Sequence, residues 1–266
     1  MNIILISSLI IAAIAIVLAV VLYVVSQKFK VYEDPRIDEV AELLPGANCG
    51  GCGFAGCRNF AENVVKNGGL QGKTCPPGGA SVNAAIAALF GEGATEAEPL
   101  QIVIRCNGDA KNAPPKVHYD SIPSCAYFHL TNAGESGCAY GCLGCGDCVD
   151  VCKFDAIAID AVTKLPKVNE NCVLCGACVN ACPRNIIAII PKREQGTMMV
   201  ACMNKEKGAE AKKNCNAACI GCKKCEKSCE CGAITVENNL SSIDIEKCTA
   251  CMKCMEACPI KGIKAV

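Results

Sequence analysis

The stretch Cys142-Leu143-Gly144-Cys145-Gly146-Asp147-Cys148-Val149-Asp150-Val151-Cys152 decides the fold of this chain. Its spacing, C-x2-C-x2-C-x3-C, occurs four times in a sequence of 266 residues that contains 26 cysteines. The other three runs begin at Cys172, Cys219 and Cys248. This is the spacing of bacterial two-cluster ferredoxins, in which three cysteines of a run bind one [4Fe–4S] cluster and the fourth binds the other. Because two runs make one ferredoxin, the sequence predicts two ferredoxin-like modules in tandem and an electron-transfer role.

Crossed ligation assigns every cysteine of the four runs to a cluster. The tight C-x2-C-x2-C loop wraps one cluster, while the fourth cysteine opens the following helix and points away from it. In the first module the expected sets are Cys142, Cys145, Cys148 and Cys182, and then Cys172, Cys175, Cys178 and Cys152. In the second module they are Cys219, Cys222, Cys225 and Cys258, and then Cys248, Cys251, Cys254 and Cys229.

Two other uses of many cysteines fit this spacing less well. A disulfide scaffold is normally a short secreted chain, and zinc sites usually pair two C-x2-C knuckles across a longer gap. Four complete runs with one spacing therefore favour iron–sulfur clusters over both alternatives.

A different cysteine motif precedes the ferredoxin runs. Its spacing is C-x2-C-x4-C-x17-C, and its members are Cys49, Cys52, Cys57 and Cys75. The intervening glycines let backbone N–H groups approach cluster sulfurs, which favours a further [4Fe–4S] site, with zinc as the alternative. The glycines also spell G-x-G-x-x-G from Gly51 to Gly56. No predicted strand precedes them and no βαβ unit surrounds them, so a dinucleotide site is rejected.

An uncharged apolar segment lies at the amino end, from Ile3 to Val25. As a helix it is about 35 Å long, enough to cross a hydrocarbon core of ~30 Å. No basic residue precedes it and no small-residue cleavage signal follows it, so a membrane anchor is favoured over a cleaved signal peptide. Lys28, Lys30 and Arg36 follow the segment. The positive-inside rule then places the rest of the chain on the cytoplasmic side of the cell (inner) membrane.

Six cysteines remain outside these motifs: Cys106, Cys125, Cys138, Cys202, Cys215 and Cys231. The spacing C-x12-C-x3-C opens both modules, at Cys125 and at Cys202, which indicates a repeat of about 77 residues. The extra pairs supply four thiols, enough for a sixth cluster if the modules pack with the pairs facing. A site built from Cys106, Cys125, Cys138 and one further ligand is an equal alternative, and free buried thiols are a third. Cys231 is expected to be free.

The expected fold class is α+β, with a single transmembrane helix, a small four-cysteine iron–sulfur domain and tandem βαββαβ ferredoxin-like modules. Aromatic residues are only 4% of the chain. Modules of about 55 residues need clusters as crosslinks, because so short a chain buries too little apolar surface. The expected domains are an anchor at 1–27, the iron–sulfur domain at 28–92, a linker or irregular segment at 93–124, and modules at 125–192 and 193–266.

Short helices and strands are predicted around the motifs. Amphipathic spacing predicts helices over 35–44 and 81–90. Apolar runs bounded by turn residues predict strands over 156–159, 167–168, 186–190, 233–236, 243–245 and 263–266.

The polar residues give no sign of acid–base catalysis or of nucleic-acid binding. The formal net charge is zero, and each bound [4Fe–4S] cluster with four thiolates adds about −2, so the loaded protein is acidic. No aromatic platform accompanies its lysines. His118 and His129, the only histidines, have no visible catalytic partner. We therefore predict no catalytic residue, no nucleic-acid partner and no cofactor beyond the clusters, which number at least five, or six if the remaining cysteines bind one.

The order of these parts resembles the B subunit of the Rnf complex, the membrane-bound ferredoxin:NAD oxidoreductase coupled to ion translocation. The resemblance rests on the apolar amino-terminal segment, on Leu44–Cys57 with Cys75-Pro76-Pro77-Gly78-Gly79, and on Tyr140–Ile157. It covers essentially the whole chain, and the second ferredoxin module is similar to the longer form of this subunit.

The resemblance implies a subunit that accepts electrons from reduced soluble ferredoxin and passes them to membrane subunits and to flavin- and NAD-binding subunits. NAD reduction and ion transport would then occur elsewhere in the complex. Two rival classes are a membrane-tethered polyferredoxin that serves a hydrogenase or reductase, and the iron–sulfur domain of a corrinoid protein. The second rival needs a barrel and a cobalamin domain, for which this chain has no room.

Overall fold

A computed structural model of the chain describes residues 2–28, 34–93, 98–120, 122–131 and 134–266. The first element, helix α1 (Asn2–Lys28), contains the predicted anchor. Residues Leu5–Lys28 form a helix long and apolar enough to cross a membrane, and its side chains pack against no other part of the described chain. Ser8 Oγ donates to the Leu5 carbonyl oxygen at 2.9 Å. That bond satisfies a polar group that would otherwise be costly in lipid.

Three helices form the domain that follows: α2 (Arg36–Leu43), α3 (Cys57–Asn67) and α4 (Gly79–Leu89). The helices predicted over 35–44 and 81–90 are thus confirmed. Their shared core contains Val40, Phe60, Val64 and Ile86, none more than 1% exposed. Gly68 ends α3 in the left-handed conformation (φ 71°), which glycine adopts at least cost.

The first ferredoxin module begins earlier than predicted. Its elements are β1 (Leu100–Ile104), α5 (Cys125–Thr131), α6 (Asp147–Asp150), β2 (Ile157–Ile159), β3 (Pro166–Val168), α7 (Ala177–Ala181) and β4 (Ile187–Pro191). Strand β1 pairs antiparallel with β4, and β2 pairs antiparallel with β3. The prediction assigned 93–124 to a linker, of which 94–97 lie outside the described residues. The structure instead has in this segment the first strand of the βαββαβ unit.

The second module repeats this arrangement. Its elements are β5 (Met198–Val200), α8 (Gly208–Asn214), α9 (Lys224–Lys227), β6 (Ile234–Glu237), β7 (Leu240–Ile243), α10 (Lys253–Ala257) and β8 (Ile263–Ala265). Strand β5 pairs with β8 and β6 with β7, both antiparallel. The β6–β7 turn lies at Asn238 and Asn239, both at positive φ (48° and 61°), so β7 starts before the predicted residue 243.

The equivalence of β1 and β5 changes the repeat inferred from sequence. Cys106 lies two residues beyond the end of β1, and Cys202 lies two residues beyond the end of β5. Cys202 therefore corresponds to Cys106 in the fold. The spacing had paired Cys202 with Cys125, and that equivalence was wrong. The first module has a longer insertion between this cysteine and its first cluster loop, which hid the correspondence.

The two modules contact each other through these same strands. Val103 of β1 packs with Met199 of β5 and with Ala201, and all three are buried. Gln101 Nε2 donates to the carbonyl oxygen of Val266 at 3.3 Å across the same boundary. The contact brings together the segments that follow β1 and β5.

Candidate iron–sulfur centres

The four C-x2-C-x2-C loops share one backbone shape. The residue before the second cysteine of each loop has positive φ: 71° at Gly144, 58° at Leu174, 62° at Gly221 and 53° at Ala250. The residue after that cysteine does too: 100° at Gly146, 76° at Gly176, 60° at Lys223 and 62° at Met252. Non-glycine residues adopt this conformation at a cost, so its recurrence at the same two positions indicates a shape imposed by a common task.

One predicted ligand set of the second module surrounds a single cavity. The cavity is lined by all four cysteines of the set, Cys219, Cys222, Cys225 and Cys258. Ser241 Oγ lies 3.3 Å from Cys225 Sγ in the buried wall. The loop and the distant fourth cysteine thus meet as crossed ligation requires.

The equivalent cavity of the first module is similar in size. Three of its predicted cysteines line it: Cys142, Cys148 and Cys182. The fourth, Cys145, does not line this cavity, and its sulfur lies 3.6 Å from the Leu143 carbonyl oxygen. Burial raises the pKa of Cys142 to about 12. This thiol is therefore neutral at pH 7 without a cluster, and cluster binding must release its proton.

Within each of the other two predicted ligand sets, the cysteines also lie near one another. Burial raises the pKa of Cys178 to about 11, with smaller contributions from the nearby Cys172, Cys175 and Cys152 sulfurs. Burial likewise raises the pKa of Cys254 to about 11, with further contributions from Cys248, Cys229 and Cys251. Each third cysteine of a run thus lies near the fourth cysteine of the other run in its module.

Backbone N–H groups donate to the fourth cysteines of two runs, one in each module. Ala156 N donates to Cys152 Sγ at 3.4 Å, and Gly262 N donates to Cys258 Sγ at 3.3 Å. Such N–H···S bonds stabilise a thiolate ligand and help set the reduction potential of the cluster it holds.

The four cysteines of the motif in the helical domain also lie close together. Burial raises the pKa of Cys75, and the nearby Cys52, Cys57 and Cys49 sulfurs also contribute to raising it. Two asparagine side chains hold the surrounding backbone. Asn48 Oδ1 accepts from Cys57 N at 2.8 Å, and Asn83 Oδ1 accepts from Cys75 N at 2.8 Å. The motif therefore brings its four sulfurs to one end of the three-helix core.

Gly51 joins this motif to the first ferredoxin module. A Cβ placed on Gly51 would lie 2.7 Å from the Cys175 carbonyl oxygen and 2.9 Å from the Cys175 Cα. Real side chains do not approach backbone this closely, so the contact requires glycine. The loop of the Cys49–Cys75 motif consequently lies directly against a ferredoxin cluster loop.

The donor sets fit a cluster better than a single ion. In the described part of the chain, no three His, Cys, Asp or Glu side chains are close enough to hold one metal ion. Four thiolates around one zinc, each at about 2.3 Å, would lie within ~4 Å of one another. A four-iron cubane holds its four thiolates further apart than a single zinc ion does.

Arg184 supplies a buried positive charge that the sequence did not single out. It lines the first module's cavity and donates from Nη1 to the carbonyl oxygens of Cys138 (2.6 Å) and Gly141 (2.8 Å). Its Nε is buried and has no hydrogen-bond acceptor among the described residues. Burial lowers the pKa of the guanidinium, and the nearby cysteine sulfurs oppose that shift. A free N–H donor and a cation in the lining of the cavity suit an anionic cluster.

Comparison with protein-family models agrees with this chemistry. Residues 141–186 match a 4Fe-4S dicluster domain, residues 242–264 match a 4Fe-4S binding domain, and residues 44–77 match a putative Fe-S cluster family. The run that begins at Cys219 lies outside these matches, yet its loop has the same backbone shape as the other three.

Curated relatives match the chain from end to end. The B subunit of the ion-translocating oxidoreductase complex of Methanosarcina acetivorans is 42% identical over 99% of both chains. The chain belongs to the B subunits of the Rnf complex. The B subunit of the Na(+)-translocating ferredoxin:NAD(+) oxidoreductase complex of Acetobacterium woodii is 41% identical, over 99% of this chain and 78% of the relative. The proton-translocating counterpart from Clostridium ljungdahlii is 37% identical, over 100% of this chain and 94% of the relative.

As an Rnf B subunit, the chain is an electron-transfer component of an oxidoreductase complex. Its candidate amino-terminal span fits a membrane-anchored member of this family. The contributions of Gly51 and Arg184 were missed from sequence. Gly51 was noticed only as part of the rejected dinucleotide motif, and no pattern in the sequence around Arg184 indicates its role.

Proposed function

We propose that this Rnf protein accepts electrons from reduced soluble ferredoxin and relays them through [4Fe–4S] clusters to membrane-embedded and flavin- and NAD-binding subunits. The ligands are the five four-cysteine sets predicted above. The chain itself reduces no NAD. The full-length match to B subunits of translocating complexes favours this role over a polyferredoxin that serves a hydrogenase or reductase.

The observation that carries the proposal is the contact between Gly51 and Cys175. It joins the domain next to the membrane helix to the ferredoxin modules, so electrons have a continuous protein path toward the membrane. At the far end, Cys222 and Cys251 of the second module are exposed. A soluble donor can approach clusters there without entering the protein, which supports entry at the second module and exit at the Cys49–Cys75 domain.

The charge beside the span supports a cytoplasmic location for the rest of the chain. Lys28 ends α1, and the side chain of Arg36 at the start of α2 is 56% exposed. Lys30 lies outside the described residues. Basic residues beside a span favour the cytoplasmic face, where a reducing environment also preserves thiolate ligands.

Bound [4Fe–4S] clusters supply one-electron transfer at potentials that the protein tunes. The chain's own part is to hold and insulate them. Backbone N–H groups bond the ligand sulfurs, the left-handed loop residues fix the spacing of the cysteines, and buried apolar side chains such as Ile186 and Ile187 exclude water from the cavity walls.

Anaerobic reduction of the purified chain tests the proposal. In detergent, reduced ferredoxin is expected to bleach the cluster absorbance of the full-length chain, while added NAD is not reduced. The assembled complex should reduce NAD under the same conditions. Cluster reduction that needs another donor, or NAD reduction by the chain alone, would contradict the proposal.

We expect Arg184→Met to lower the midpoint potentials of the first module's clusters. Loss of a buried cation destabilises the more negative, reduced state, by on the order of 60 mV, the one-electron equivalent of a tenfold change in equilibrium. EPR-monitored redox titration measures the shift. Arg184→Lys retains the charge and should change the potential less. Arg193→Met removes a guanidinium that bonds the Cys248 carbonyl oxygen at 3.0 Å, so it should affect the second module only. Unchanged potentials in Arg184→Met would exclude this role.

A further inference from the structure

Four cysteines outside the predicted ligand sets line one cavity between the two modules: Cys106, Cys138, Cys202 and Cys215. All four side chains are buried. The cavity is similar in size to the two cavities lined by ferredoxin ligands. The space therefore has the size and the donors of the predicted cluster sites.

The four cysteines are two equivalent pairs, one from each module. Cys142 N donates to Cys106 Sγ at 3.4 Å, and Cys219 N donates to Cys202 Sγ at 3.3 Å. In both modules the donor is the first cysteine of the first cluster loop. The second members of the pairs, Cys138 and Cys215, each stand four residues before that same cysteine. The two pairs thus come from equivalent positions in the two modules and line the same cavity.

Two glycines show that the sulfurs face a common volume. A Cβ on Gly108 would lie 3.2 Å from Cys215 Sγ and 3.6 Å from Cys106 Sγ. A Cβ on Gly141 would lie 3.3 Å from Cys138 Sγ and 3.8 Å from Cys106 Sγ. Both glycines leave the sulfurs free of side-chain crowding, so larger residues at these positions would intrude on the site.

A buried amide also serves these sulfurs. Asn204 is 1% exposed, and its Nδ2 donates to Cys138 Sγ at 3.6 Å. The Asn204 backbone N donates to Cys202 Sγ at 3.4 Å. N–H donors thus reach three of the four sulfurs, Cys106, Cys138 and Cys202, and such bonds stabilise the thiolate ligands of a cluster.

We propose that Cys106, Cys138, Cys202 and Cys215 hold a sixth [4Fe–4S] cluster between the ferredoxin modules. Zinc does not fit, because no three of these sulfurs form a single-ion site in the described structure. The site lies against the first cluster loops of both modules. One electron received from a reduced cluster on one side can therefore pass to an oxidised cluster on the other, with no bond formed or broken. The ligand set stands on geometry alone, whereas its place in the relay rests on the proposed function.

Cys125 and Cys231 are excluded from this site. Cys125 lines the first module's own cavity, and its backbone N donates to Asp147 Oδ1 at 2.7 Å. Cys231 is exposed, and its sulfur lies 3.6 Å from Cys229 Sγ. Among the alternatives that the sequence left open, the structure favours a site formed by two cysteine pairs that face each other. The first pair is Cys106 with Cys138, whereas the sequence had paired Cys125 with Cys138.

Iron and sulfide analysis of the anaerobically purified full-length chain tests the site. Wild type should contain about 24 irons, and Cys202→Ala about 20, because one four-iron cluster is lost when a ligand is replaced by a side chain with no donor atom. Cys125→Ala and Cys231→Ala are matched controls and should retain about 24 irons. A wild-type content of about 20 irons, with or without one zinc, would overturn the proposal, as would a Cys202→Ala variant with wild-type iron.

Native mass spectrometry of wild type gives the same count without any substitution, in case the variant does not fold. Six intact clusters are expected, and five would refute the sixth site. This count is independent of ferredoxin, so five clusters would leave the proposed function standing. A six-cluster chain that ferredoxin does not reduce would instead refute the function and leave the site standing.

Discussion

Removal of iron and sulfide is expected to unfold both ferredoxin modules while the helical domain around Phe60 keeps its structure. The difference lies in what fills each core. The buried core of the second module includes Cys202, Cys215, Cys225 and Cys254. That of the first includes Cys106, Cys148 and Cys178. By contrast, the helical domain buries Val40, Phe60, Val64 and Ile86 almost completely.

The energies support this division. Binding of one structural metal contributes about 10–16 kcal/mol to the folding of a small zinc domain. A whole domain is stabilised by only about 5–15 kcal/mol. Each module is expected to lose at least two such contributions, and its two-stranded sheets cannot replace them.

Hydrogen–deuterium exchange in detergent measures the outcome. After anaerobic chelation, amides of β1–β8 should exchange at the rate of an unfolded chain, whereas those of α3 retain protection. Reconstitution with iron and sulfide should restore the sheet amides and serves as the control. Protected β-strand amides in the demetallated protein would show that the modules do not depend on their clusters.

The local features of the fold were predictable because cluster ligation fixes spacing within a few residues. The four cluster loops, the hairpins, and the helices of the domain that contains the Cys49–Cys75 motif all follow from such short-range patterns. Even Lys223 and Met252, which have no glycine-like freedom, adopt the loop shape that their neighbouring cysteines require.

Strand β1 shows what short-range patterns miss. Ile102 and Ile104 pack against the core of the first module, while Val103, on the other face, packs against the second module. Apolar residues therefore occupy both faces, and the alternation that identifies a half-buried strand is absent. With β1 unrecognised, Cys106 had no place in the fold, and its equivalence with Cys202 could not be seen.

Long-range contacts account for the other omissions. Arg184 reaches the backbone of Cys138, 46 residues earlier. Gly51 contacts Cys175 across the boundary between two domains. Neither contact leaves a signal in the adjoining sequence. Arg184 bonds the backbone of Cys138, and Gly51 meets the backbone of Cys175, so neither contact depends on the side chain of the partner residue.

A second large effect is expected from Gly51→Val, which should interrupt electron flow between the Cys49–Cys75 domain and the ferredoxin modules. The valine Cβ would start 2.7 Å from the Cys175 carbonyl oxygen, and two further methyl groups would extend beyond it. Backbone atoms cannot rotate aside as a side chain can, so the domains must separate. Electron tunnelling decays exponentially with distance, so even a small separation slows transfer.

The substitution leaves every ligand in place. Gly51 lacks a positive φ, so the change adds no backbone strain of its own, and the iron content should equal that of wild type. Gly51→Ala is expected to have the same effect to a smaller degree. Gly93→Ala is the matched control, because a Cβ at Gly93 meets no atom within 4 Å.

Two measurements separate loss of the junction from loss of a cluster. In EPR spectra of the fully reduced chain, magnetic coupling between the domain's cluster and its ferredoxin neighbour should weaken in Gly51→Val. In stopped-flow reduction by ferredoxin, the clusters of the ferredoxin modules should be reduced as fast as in wild type. The cluster of the Cys49–Cys75 domain should be reduced more slowly than in wild type. In the assembled complex the rate of NAD reduction should then fall while ferredoxin KM is retained. A variant with full iron and a wild-type rate would show that electrons leave the ferredoxin modules by a path that does not cross the Gly51–Cys175 contact.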